Sequence, residues 1–191
     1  SNLNHCSGQF ILDHGGVVSV IAVGRKGRDF MVRHGRDVRA AFVDMGDRPI
    51  ITDTTPVARL VIEEYSERRV DAVYVTFADF VNTTVQKPKV VQILPVVPAK
   101  LTSQEAVGYI YEPNSTSVLS ALLPRFVEMQ IYHMLLEGIA SEQSARMVAM
   151  RSATDNASDM IDDLTLEMNK IRQETITRDL LDIVGGVAAL E

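Results

Sequence analysis

The chain has 191 residues, 46% of them hydrophobic, and 25 Asp and Glu against 19 Lys and Arg give it a net charge of −6. That length holds one ordinary domain, or a smaller one with an appendage, and the acidic balance offers no broad basic surface for nucleic acid. No run approaches the roughly 20 uninterrupted apolar residues that span a bilayer and no leader pattern opens the chain, so a soluble, intracellular protein is expected; the single cysteine, Cys6, excludes an internal disulfide framework or a cysteine zinc cluster and reads as a small buried or partly buried residue.

Ser1-Asn2-Leu3-Asn4 reads as a short polar lead-in ahead of the first structured segment, and the absence of an initial Met as the mark of a fragment or processed product. Val17 to Val23 is an apolar, β-branched run without polar alternation beyond Ser19, as in a strand covered on both faces. Gly24 ends it, a helical segment follows through Asp29, Phe30, Met31 and Val32, and a second strand is expected at Arg39 to Val43. Thr52-Asp53-Thr54-Thr55-Pro56 reads as a helix start, with Asp or Thr as cap and Pro in the first turn. The helix after it sets Val57, Leu60, Val61 and Tyr65 against Glu63, Glu64, Glu67 and Arg68, so its apolar side lies on a sheet. Asp71 to Phe77 is the next strand. Lys89 to Val97, opened by Pro88, reads as a strand at a sheet edge. Pro98 to Val107 is a polar loop, and Gly108 to Pro113 leads into the last element. The alternation predicts an α/β fold, a small Rossmann-like domain on a parallel sheet over residues 1–113.

Residues 114–191 read as one very long helix. Alternate steps of three and four from Leu119 meet Leu122, Phe126, Met129, His133, Leu136, Ala140, Gln143, Met147, Met150, Thr154, Ala157, Ile161, Leu164, Met168 and Ile171, and thirteen of these sixteen positions are apolar. So narrow and sustained a stripe is the pattern of a helix supercoiled with a partner helix. About 75 helical residues span on the order of 110 Å, several times the width of a small domain. A break at Gly138 would give two ordinary helices instead, but Gly costs only about 1 kcal/mol relative to Ala in a helix interior, and no Pro follows Pro124. From Ile176 the apolar spacing shifts by one residue through Leu180, Ile183, Val187 and Leu190, turning that face by about 100°. This low-charge tip suits a shaft end held in an apolar sleeve, and equally a frayed end stopped at Gly185-Gly186.

Few residues point to chemistry. Gly24-Arg25-Lys26-Gly27 stands where α/β proteins bind phosphate but matches no nucleotide fingerprint in spacing, so a tight basic turn is expected. His5, His14, His34 and His133 have no ligand-spaced partner. Asp155, Asp159, Asp162 and Asp163 read as a solvated acidic face, because helical carboxylate metal sites need Glu-x-x-His pairs on facing helices. No nucleophile and base come together in the sequence, and no cofactor is expected.

Three separated segments carry a family resemblance. Ser141 to Ala157 (SEQSARMVAMRSATDNA), Asn169 to Gln173 with Ile176-Thr177, and Ile183 to Leu190 resemble, in this order and spacing, the C-terminal helix of the gamma subunit of F-type ATP synthase. Tyr109 to Pro113, the Gly46-Asp47 turn and Val81-Asn82-Thr83 resemble that family's α/β domain. The resemblance covers nearly the whole chain and implies a non-catalytic rotor shaft, which couples proton transport to ATP synthesis or hydrolysis in a surrounding ring of alpha and beta subunits. It implies that Arg146, Arg172, Gln173, Thr177 and Asp179 meet the beta subunits, with Asp179 where the family more often has Glu. Tyr109 and Glu112 match positions that rest on the membrane rotor ring and the epsilon subunit. The location implied is the cytoplasmic face of the bacterial inner membrane or an equivalent membrane, peripherally bound. Gamma subunits carry a long N-terminal helix, a strand and a Gly-rich turn ahead of the point where this chain starts. That helix is the natural partner of the stripe, so association through the stripe is expected, with the chain's own N-terminal helix or with a second copy. The competing reading is a stand-alone α/β ligand-binding module with a helical dimerisation arm and a phosphorylated ligand at Gly24 to Gly27.

Overall fold

Residues 2–97 and 115–188 are described by the computed structural model. The chain forms two compact units, one ending at Ser144 and the other beginning at Ala145. The loop expected at Pro98 to Val107, with Tyr109 and Glu112, lies outside the described residues.

The first unit opens on a helix, α1 (Asn2–His14), where the sequence reads as a polar lead-in. Its weak stripe of Leu3, Phe10 and Ile11 is what the polar composition conceals. Ile11 is buried, and Gly8 admits the edge of Phe30, which would stand 3.7 Å from a Cβ placed there. Strand β1 (Ser19–Val23), helix α2 (Arg25–Arg33) and strand β2 (Asp37–Phe42) follow, and β1 and β2 pair in parallel. Helix α3 (Ile51–Ser66) starts one residue before the expected Thr52. Asp53 accepts a hydrogen bond from the Ile50 N–H at 2.8 Å, which anchors the first turn. Pro56 therefore lies one turn further into the helix, at its sixth position.

Strands β3 (Val73–Phe80) and β4 (Gln86–Leu94) pair antiparallel. The parallel sheet expected from the strand and helix alternation thus covers β1 and β2 only. Residues 81–85 between β3 and β4 are too few for a parallel crossover, which needs a dozen or more. Asn82 closes the hairpin by accepting from the Thr84 and Val85 N–H groups at 3.0 and 2.7 Å. A register shift between Val73 and Tyr74 sets Leu94 opposite Val73, so the consecutive Ile93 and Leu94 are both buried.

The core forms where α3 and the start of the last helix, α4 (Ser115–Ala188), cover these strands. Val57, Ala58 and Val61 of α3, Phe77 of β3, Ile93 and Leu94 of β4, and Val127, Ile131 and Met134 of α4 make one cluster. Each large apolar side chain buried there contributes about 1.5–3 kcal/mol. Alternation along β3 turns Val73, Val75 and Phe77 toward this core, while the Tyr74 ring meets Phe10 of α1 at 5.0 Å.

Helices α2 and α3 close with the same pair of backbone bonds. After α2, the Gly35 N–H reaches Val32 O and the Arg36 N–H reaches Met31 O, each at 3.0 Å, with Gly35 at φ 65°. After α3, the Arg68 N–H reaches Tyr65 O and the Arg69 N–H reaches Glu64 O, with Arg68 at φ 57°. Glycine fits this left-handed position and arginine is strained in it. The second unit consists of the remainder of α4.

Candidate partner-binding surface

Helix α4 runs unbroken for 74 residues, through Pro124 and Gly138. A Cβ at Gly138 would meet nothing within 4 Å beyond the helix backbone, so this glycine serves no close approach.

Between Val118 and Ser144 the helix has two apolar sides. Val127, Ile131, Met134 and Ser141 are buried against the rest of the first unit. The coiled-coil stripe is a different set of residues, one or two positions earlier in each turn. Val127 is 2% exposed, while its neighbour Phe126 is 46% exposed. At about 100° per residue the two lines stand roughly a third of a turn apart. Leu119, Leu122, Met129 and Leu136, and further along Met147, Met150, Ile161, Leu164, Met168 and Ile171, are all exposed. From residue 145 to 185 every side chain is exposed. A contiguous apolar line of this length is the mark of an interaction surface.

Polar side chains fix the buried line. Thr55 of α3 donates a hydrogen bond to the Glu128 carboxylate, which Arg125 also meets at 2.5 Å. The Thr55 hydrogen bond, followed in effect by burial in the opposite sense and by Arg125, holds the Glu128 carboxyl below its ordinary range. The Tyr132 hydroxyl donates to Pro49 O at 3.3 Å, and the Ser141 hydroxyl to Ala78 O of β3 at 2.9 Å. None of these contacts has a motif to announce it in the sequence. On the α4 surface beside Pro124, a groove of about 560 Å³ opens between α3 and α4, with Arg59, Glu63 and Arg125 on its walls.

The residues singled out by family resemblance do not form one cluster. Arg146, Arg172, Gln173, Thr177 and Asp179 are all exposed on α4. Helical geometry sets Arg172 and Asp179 within about 20° of each other and Gln173 and Thr177 within about 40°, on different sides. Asp155, Asp159, Asp162 and Asp163 are exposed. The histidines are dispersed: His14 stacks beside Tyr74, His34 beside Phe30, and His133 contacts Glu137 at 2.9 Å. At the Gly24 turn, φ is 101° and the Gly24 N–H is bonded to Phe42 O at 2.8 Å. Arg25 pairs with Asp44 at 3.2 Å. Cys6 is half-buried. Among the described residues, no helix is long and apolar enough to cross a membrane.

An α/β domain carrying a long helix with an uncovered apolar stripe defines a structural subunit built to engage other chains. The family model described as ATP synthase matches residues 3–190. The ATP synthase gamma chain of Dehalococcoides mccartyi strain 195 is 53% identical over 190 residues, covering 100% of this chain and 67% of the relative. That of Roseiflexus castenholzii is 48% identical over 193 residues, with the same coverage. The chain belongs to the ATP synthase gamma chain family, and it spans about two thirds of the length of these relatives. Among solved structures, a chain of the Euglena gracilis mitochondrial ATP synthase superposes with a TM-score of 0.58 at 20% identity, covering 90% of this chain and 62% of its own length. A chain of the Tetrahymena thermophila mitochondrial ATP synthase central stalk and c-ring gives 0.54 at 21% identity, covering 71% and 60%. These likenesses extend to the fold.

Proposed function

We propose that the chain is the central-stalk rotor subunit of an F-type ATP synthase, which transmits torque between a membrane rotor ring and a catalytic ring of alpha and beta subunits and does no chemistry itself. Family membership supports this reading, and one observation carries it. A single helix is exposed on every side from residue 145 to 185, as suits an element that works surrounded by partners. In this reading residues 1–113 act as the coupling domain and 114–191 as the shaft. The apolar stripe holds a companion helix. Tyr109 and Glu112 rest on the rotor ring and the epsilon subunit, and the complex lies peripherally on the cytoplasmic face of a bacterial inner membrane or its equivalent.

The beta-subunit contacts in this proposal are Arg146, Arg172, Gln173, Thr177 and Asp179. Their differing orientations around the helix fit a shaft read from several directions by a ring. Charge and amide removal at Arg172 and Gln173 in the assembled complex should lower ATP turnover by about three- to tenfold, in the range of interface hot spots. Unchanged turnover in a complex that still contains the chain would remove these residues from the contact. Co-purification with alpha and beta subunits tests the assignment directly, and tight nucleotide binding by the isolated chain would instead favour a ligand-binding module.

A further inference from the structure

The seating of α4 on its own domain combines an apolar face with polar bonds on either side of its centre line. Take Val127 as the centre of the buried line. Ile131, Met134 and Gly138 then fall within about 40° of it, Glu128 and Tyr132 about 100° and 140° to one side, and Ser141 about 40° to the other. Glu128 is tied to Thr55 at the start of α3, and Ser141 to the backbone of Ala78 in β3. Thirteen residues separate the two attachments, or about 20 Å along the helix.

The two kinds of contact resist different motions. Apolar burial of Val127, Ile131 and Met134 opposes lifting the helix off and any large roll, but it is non-directional and so sets the fine angle about the helix axis less sharply. Hydrogen bonds need alignment and weaken steeply once bent, so bonds on the flanks oppose the roll. Glu128 is the stronger anchor, because its bonds involve an ionised carboxylate. Glu128 and Ser141 lie on opposite sides of the centre line, so between them they resist both senses of rotation.

We infer that Thr55–Glu128 and Ser141–Ala78 are the torque-bearing contacts through which the α/β domain turns the helix, an inference that rests on the rotor reading above. These are positioning residues. They lie away from the proposed ring contacts and touch no reacting group.

The test uses the assembled complex reconstituted into vesicles, with ATP hydrolysis and proton uptake measured on the same preparation. Combined Thr55→Val and Ser141→Ala should leave hydrolysis within about twofold of the parent while protons moved per ATP fall by about twofold or more, as expected when a bond that resists rolling is removed and the shaft slips. Thr55→Ser, which keeps the hydroxyl, should restore the ratio when it replaces Thr55→Val. An unchanged ratio in the double variant overturns the inference. Should the double variant not assemble, Ser141→Ala alone removes a single hydroxyl, and an unchanged ratio there overturns it equally. A parent complex that contains this chain and hydrolyses ATP without pumping overturns the rotor reading itself, and the inference with it.

Discussion

Arg39 of β2 places a guanidinium nitrogen 2.9 Å from Oε1 of Glu64 on α3, and Arg69 approaches the same oxygen at 2.6 Å. Glu64 is buried, and its Oε2 has no partner among the described residues. Two cations thus hold one carboxylate at the junction of a strand and a helix end.

Removing one cation leaves the buried charge partly compensated. Arg39→Ala should cost about 1–3 kcal/mol, the value of a hydrogen bond to a charged group. Replacing Arg39 and Arg69 together should cost more than the sum of the two single changes, because only then is the carboxylate stranded. Urea unfolding of the four variants in the cycle measures this coupling, and strict additivity would mean that the two arginines act independently.

The two helix ends with matching backbone bonds predict opposite responses to glycine chemistry. Arg68→Gly relieves a left-handed residue and should stabilise by about 1 kcal/mol, while Gly35→Ala imposes one and should destabilise by a similar amount. Both are read as shifts in the thermal midpoint. The Arg68 side chain is exposed, so little else changes with it.

Glu128 sets a pH dependence with a defined sign. Its carboxyl is lowered in the folded chain, chiefly by the Thr55 hydroxyl, so folding favours the ionised form. That stabilisation is complete above the unfolded pKa of about 4.3 and is lost as pH falls through the lower folded value. Glu128→Gln should therefore be about 1 kcal/mol less stable than the parent at pH 7. The gap should narrow as pH falls below that unfolded value, as followed by urea titrations from pH 7 downward. A gap that stays constant with pH would assign the effect to packing.

The two apolar lines of α4 predict unequal costs in the chain studied alone. Ile131→Ala removes a core side chain and should cost about 2–5 kcal/mol. Leu164→Ala, on the exposed stripe, should cost less than about 0.5 kcal/mol. Addition of a companion helix should raise the second cost and leave the first unchanged, as measured by thermal unfolding with and without the added peptide.

Much of this arrangement was legible before the fold. The strands expected from residues 17, 39, 71 and 89 all exist, with boundaries moved by at most three residues, and the long helix spans Ser115–Ala188 against the expected 114–191. β-Branched runs and a sustained heptad are strong signals because many residues repeat them. Helix α1 is hard to read because its apolar contacts are few and its opening is polar, so that Gly15-Gly16 directly after His14 is its one clear end signal. The antiparallel β4 was missed because strand patterning does not encode direction; only the short connection at residues 81–85 does. On α4 the stripe was found, yet the side that grips the domain was not. Val127, Ile131 and Met134 sit beside a longer pattern that outweighs them, and the Thr55–Glu128 contact joins residues 73 apart in sequence.

The one-residue offset between these lines also bears on how the chain folds. Phe126 and Val127, or His133 and Met134, are adjacent pairs, one residue of each buried and the other exposed. A helix rolled by a single residue would offer the domain a second apolar line of comparable character, and hydrophobic collapse alone distinguishes the two weakly. The misdocked form would leave Glu128 and Ser141 without their partners and Thr55 facing no carboxylate. The polar contacts on the flanks thus act against a kinetic trap created by the helix having to serve two surfaces at once.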